Sequence, residues 1–153
     1  MEELLKKLNF KNQAKIAVVN VPDELNFLKL FPSGLPIPDF EINKNVNYEF
    51  LLLFVQTEAQ VSVIALKLLK NLSDDAVLWF IYPKKSSKKY KSEITRDRGW
   101  SALSVLSVEP VRMIAINDDW SALRFRKVDK IKTLSRKGGT ISQEGAKRIS
   151  GNR

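Results

Sequence analysis

The sequence predicts an α/β domain, with a mostly parallel central sheet, helices on both faces and a C-terminal antiparallel hairpin. Three observations carry this. Lys15–Val21, Tyr48–Gln56 and Ala76–Tyr82 are continuous apolar runs without the alternation of a half-exposed strand, as expected of strands covered on both sides. Helical spacing separates the second run from the third. Two further strand-like segments, Val111–Asn117 and Trp120–Val128, are divided only by Asp118–Asp119, the spacing of a tight hairpin.

Taken in order, Leu4, Leu5 and Leu8 suit a short amphipathic helix over Glu2–Leu8. The first strand ends at Pro22, and "DELNFLKLF" predicts about two helical turns before the prolines of "PSGLPIP" enforce a loop. A short extended piece follows at Pro38–Ile42. After the second strand, Thr57 and Gln60 have capping-box spacing. Val61, Ile64, Ala65, Leu68, Leu69 and Leu72 then form one apolar stripe, so this helix is expected to end between Asn71 and Asp75. Strand, helix and strand make a parallel, right-handed βαβ unit. Past "YPKKSSKKYKSEITRDRGW", Ser92 or Thr95 predicts the cap of a helix reaching Ser107, with Trp100, Leu103 and Leu106 on one side and Gly99 weakening it. The string Trp-Ser-Ala-Leu occurs twice, at Trp100–Leu103 in this expected helix and at Trp120–Leu123 in the last strand. The order of elements with its terminal hairpin suggests a truncated Rossmann-like, methyltransferase-like sheet. The domain is expected to span 1–128, with 129–153 a basic, flexible tail.

Several chemistries are excluded by composition. The 153 residues contain no histidine and no cysteine, which removes Ser-His-Asp and Cys-His catalysis and the usual zinc sites. The turn after the first strand, "VVNVPDELN", has no glycine, and before Gly138 only Gly34 and Gly99 occur. Neither a dinucleotide fingerprint nor a phosphate loop is present, so no cofactor is expected. Asp74–Asp75, at an expected helix end, and Asp118–Asp119, in a hairpin turn, read as solvated acids; no metal site is expected. Ser86-x-x-Lys89 has the spacing of a serine nucleophile and lysine base but lacks the companion motifs, and no catalytic residue is assigned. The apolar runs are far shorter than the ~20 residues a membrane helix needs, and the N-terminus does not read as a secretory signal. A cytoplasmic protein is expected.

The charge pattern is the positive clue. Of the formal +9, the stretch Lys84–Arg98 holds seven basic residues against two acidic, and Lys127–Arg153 eight against two, leaving the body close to neutral. The Lys84–Arg98 loop leaves the carboxyl end of a central strand, where open α/β sheets bind ligands. Lys84, Lys85 and Lys88, the hydroxyls of Ser86 and Ser87, and free amides at the following helix start are expected to hold a phosphate. Arg96 would lie in that helix's first turn, where a cation needs an anionic partner. Arg124 and Arg126 share one face of the last strand and would extend the basic surface. The competing reading is a solvated face, with Arg96 paired to Asp97 or Glu93.

The strings "LWFIYPKKSSKKYKSEITRDRGW" and "NDDWSALRFR" resemble the paired signature of a small bacterial family catalogued as domain of unknown function 3052, or a close relative. "LLKKLNFKNQAKIAVVNVPDEL" resembles that family's opening. The resemblance implies a bacterial, cytosolic, single-domain α/β protein without established activity. It draws attention to Tyr82, Pro83, Lys84, Ser86, Ser87, Arg96, Asp97, Trp120, Ser121, Arg124 and Arg126, and the tail is an addition to its pattern.

The expectation is therefore a non-enzymatic module binding a phosphate-bearing ligand, nucleotide or nucleic acid through the loop. Two alternatives stand beside it. One is an enzyme on a degenerate methyltransferase-like scaffold, with Asp97 or Asp118 as acid-base group. The other is an interaction module that forms a homodimer through an exposed sheet edge or the hairpin.

Overall fold

The computed structural model describes residues 2–25 and 37–131. Among these residues five strands form one mixed sheet: β1 (Ile16–Val19), β2 (Tyr48–Phe54), β3 (Leu72–Pro83), β4 (Val108–Ala115) and β5 (Trp120–Lys127). Their spatial order is β1-β2-β3-β5-β4. The first three run parallel, and β5 pairs antiparallel with both β3 and β4.

The helices are fewer than the sequence predicts. α1 (Glu2–Lys7) has six residues and α2 (Glu58–Leu68) has eleven; among the described residues no other α-helix occurs. The expectation of a helix-rich, Rossmann-like sheet with helices on both faces is thus incorrect: the chain is predominantly a mixed sheet. The expected helix over residues 95–107 fails for a local reason. Gly99 has φ +101°, a left-handed conformation that breaks the helical path. The Ser92 hydroxyl bonds both the N–H and the carbonyl of Ile94, and the Trp100 indole donates to the Thr95 carbonyl at 2.8 Å. With those backbone groups already engaged, only a 3-10 helix forms, over Ser101–Leu106. The expected helix beginning at Asp23 starts as a turn closed by Leu25 N–H on the Pro22 carbonyl; the rest lies outside the described residues.

α2 begins with the full capping box, Gln60 N–H on Thr57 Oγ1 and Thr57 N–H on Gln60 Oε1. It stops at Leu68, before the expected end. The Asn71 amide donates to the carbonyls of Asn43 and Val46, and its own carbonyl takes the Tyr48 N–H. Held this way, Asn71 turns the chain directly into β3. Asp74 and Asp75 therefore lie in a strand and not at a helix end. Between the pairs Tyr48–Leu72 and Phe50–Val77 the ladder is irregular, and Asp75 sits there with φ +54°.

One face of the sheet packs against Val61, Ile64, Ala65 and Leu68 of α2, and against Leu103 and Leu106. Each fully buried valine, isoleucine or leucine contributes about 1.5–3 kcal/mol. On the other face Leu5 of α1 and Leu8 just beyond it meet Phe50, Leu52 and Trp79, and the Trp79 indole donates to the Leu8 carbonyl at 2.8 Å. Both sheet edges are blunted. Asp39 pairs with the outer side of β1 through Val18 N–H and the Ile16 carbonyl, while β4 carries Pro110, an irregular register and Arg112.

β5 ends in a 3-10 turn, Val128–Lys130, and Ile131 beyond it is buried. The rest of the expected tail lies outside the described residues. Among the described residues no helix is long and apolar enough to cross a membrane.

Candidate functional site

The Lys84–Trp100 segment leaves β3 and is tied down at three places. First, Lys84 N–H donates to the Asp119 carbonyl at 2.7 Å. The Ser87 hydroxyl donates to Asp119 Oδ1 at 2.8 Å and accepts the Tyr90 N–H at 3.1 Å. Asp119 itself is oriented by Asn117, whose Oδ1 accepts the N–H groups of Asp119 and Trp120. Second, the Tyr90 ring lies 4.8 Å from that of Trp120. The Glu24 carboxylate, bonded to the Tyr90 hydroxyl, raises the phenol's pKa; Lys89 Nζ stands 3.9 Å from the same carboxylate. Third, the chain crosses the carboxyl end of β2. There the Lys91 carbonyl takes Gln56 Nε2, Glu93 N–H meets the Gln56 carbonyl, and Glu93 Oε2 accepts Glu58 N–H at 3.0 Å.

The last contact decides what this end of the sheet can hold. α2 presents its positive terminus beside the strand ends, a ready anion site. Glu93 occupies it with the protein's own carboxylate. Ile94 and Trp100 then return to the core, the indole meeting the rings of Phe80, Tyr82 and Phe125. Burial raises the Tyr82 pKa, against the opposing charge of Arg96.

The predicted cradle is thus taken apart. Ser87 is spent on Asp119, and the 3-10 helix that follows starts only at Ser101, so no α-helix begins there to supply free amides or to place Arg96 in a first turn. Lys85, Ser86, Lys88, Lys91, Arg96 and Arg98 are exposed, and Lys84 is half-buried. Among the described residues the ion pairs are Lys89–Glu24, Arg126–Asp75 and Lys130–Asp74, so none of Lys84, Lys85, Lys88 and Lys91 is in one.

Arg124 and Arg126 do not join the loop. Trp120 pairs with Pro83, next to the lysines, whereas Arg124 pairs with Trp79, five residues before Lys84 and about 17 Å away along the strand. Arg126 lies farther still and makes a bidentate pair with Asp75 at 2.7 and 2.8 Å. That pair holds the Asp75 carboxyl below its ordinary pKa. Sequence reasoning missed Asp75 and Arg112, the residue opposite Arg124 on β4. Alternation within "VRMIAIN" puts Arg112 and Ile114 on one face, but the strand register is not written in it.

A separate polar cluster lies by the β1 edge. The buried Tyr48 hydroxyl donates to Asp39 Oδ2 at 2.6 Å and accepts Asn43 N–H at 2.8 Å. Burial and the Asp39 carboxylate push the Tyr48 pKa up to about 12. A phenol held so firmly protonated serves as a structural clamp.

A scan of the chain against protein-family models finds no match, and a search of curated proteins finds no significant relative.

Proposed function

We propose that the protein is a non-enzymatic binding module for phosphate-rich polyanions, nucleic acid foremost, which it meets through the Lys84–Lys91 arc. The observation that carries this reading is a set of cations without carboxylate partners among the described residues, displayed on a loop pinned to the hairpin and to α2. A loop already folded against its neighbours loses little conformational entropy on binding. Because Glu93 fills the α2 terminus and Ser87 is engaged, the loop offers charge on an open surface. Such a surface suits successive backbone phosphates better than one enclosed phosphate. The buried Trp79 and Phe80 give no exposed stacking platform, so affinity would be electrostatic and tolerant of base sequence.

The direct test is fluorescence anisotropy with labelled oligonucleotides of unrelated sequence. Similar affinities, abolished by Lys85→Glu/Lys88→Glu in a protein with unchanged melting temperature, are the expected result. Binding insensitive to that charge reversal would remove the loop from the reading.

The homodimer reading now finds less support at the sheet edges, which Asp39, Pro110 and Arg112 blunt. It finds more on the outer side of α2, where Val63 and Leu66, with Leu69 at the helix's C-cap, are each at least half exposed. Sedimentation of the native chain against a Leu66→Glu variant separates it from the binding reading.

A further inference from the structure

Three arginines meet on the sheet face that α1 shares, away from the lysine loop. Arg112 and Arg124 are direct partners across the β4–β5 ladder, and Arg126 follows on β5. Like charges directly opposite one another in a sheet repel. Arg126 is neutralised by its fork to Asp75. Glu109, buried and opposite Arg126 in the ladder, is the one carboxylate that β4 and β5 themselves carry. Two carboxylates against three guanidiniums leave the group positive. Arg112 and Arg124 make no ion pair among the described residues, and Arg124 Nε is buried without a hydrogen-bond partner. A buried guanidinium N–H left unpaired is destabilising.

We infer that Arg112 and Arg124 form a second anion site, separate from the lysine loop, that binds a phosphate group between the two guanidiniums. The class of ligand follows from donor count. A guanidinium presents its N–H groups in a planar fork that asks for two acceptor oxygens. Two forks saturate a carboxylate, which has only two oxygens, whereas a terminal phosphate offers three. An anion there takes up the terminal N–H groups of both guanidiniums and cancels the repulsion across the ladder. Burial, the neighbouring Arg126 and then Arg112 lower the Arg124 pKa, with Asp75 opposing them, the condition expected of a cation lacking enough negative charge nearby.

The test uses the full chain and inorganic phosphate, titrated at constant ionic strength while the Arg124 Nε–Hε resonance is followed by NMR; sodium acetate and sodium chloride serve as controls. Phosphate is expected to shift that resonance saturably, with chloride producing no saturable change and acetate binding at least tenfold more weakly. Arg112→Gln should weaken phosphate at least tenfold and, by removing the repulsion, raise the melting temperature of the ligand-free protein. Arg112→Lys retains the charge but loses the fork, so it should weaken phosphate severalfold and keep the protein folded. Lys84→Ala/Lys85→Ala should leave the titration unchanged, whether or not oligonucleotide binding is lost. No saturable shift, or a shift abolished by the lysine variant but not by Arg112→Gln, overturns the site. Equal binding of acetate overturns the assignment to phosphate.

Discussion

Salt dependence offers the sharpest test of the lysine loop. Of the five lysines before the chain dives inward at the buried Ile94, Lys89 faces the Glu24 carboxylate, which leaves Lys84, Lys85, Lys88 and Lys91, four cations, to track one strand of nucleic acid. Each phosphate neutralised on a single strand contributes about −0.7 to the slope of log K against log salt. Four contacts predict a slope of about −2.8, hence a roughly 50-fold loss of affinity between 50 and 200 mM salt. Lys84→Ala/Lys85→Ala should halve the slope to about −1.4 and reduce that loss to about 7-fold. Anisotropy of a labelled single strand over this range measures both. If the double variant binds more weakly yet keeps the parent slope, the two lysines do not neutralise phosphates and the count of four is wrong.

Three further predictions concern the framework. For Tyr48, a folded pKa of about 12 stands above an unfolded value of about 10. Its contribution is therefore complete below pH ~10 and lost as pH rises toward 12, by up to about 2–3 kcal/mol. Urea unfolding should show the stability gap between the parent and Tyr48→Phe closing across that window, and a constant gap would refute the assignment. Glu93→Gln keeps an acceptor for Glu58 N–H but removes the charge at the α2 terminus, so it should cost about 0.3–1 kcal/mol at low salt and less at high salt; a salt-independent cost would point to packing instead. Trp79→Phe deprives the Leu8 carbonyl of its buried donor and should cost about 1–3 kcal/mol. It should also speed amide exchange in α1 more than in α2, which hydrogen exchange resolves.

The elements legible in the sequence are those whose cause is local. The Thr57–Gln60 box needs only neighbours three residues apart, and its hydrogen bonds form as spaced. The apolar runs became β1, β2 and β3 because strands covered on both faces need no alternation. Asp118–Asp119 lies in the connection between β4 and β5. Where local preference and tertiary contacts compete, the reading fails. Trp-Ser-Ala-Leu opens a 3-10 helix at Trp100 and a strand at Trp120. The same four residues thus take two conformations, one beside Gly99 and the ring cluster, the other zipped between β3 and β4. A candidate cap and periodicity predicted a helix reaching Ser107, whereas the left-handed Gly99 and the Trp100 indole bond left only a 3-10 helix over Ser101–Leu106.

The candidate site divides along the same line. By itself the sequence determined where the charge lies, which chemistries are absent for want of histidine and cysteine, and which segments build the sheet. Only the tertiary structure decided which cations are neutralised. Glu93 reaches Glu58 across 35 residues and Arg126 reaches Asp75 across 51, while Arg124 is set opposite another arginine. The reason is physical: periodicity and capping act over a few residues of chain, but a charge responds to distance through space, and strand register and loop crossing set that distance.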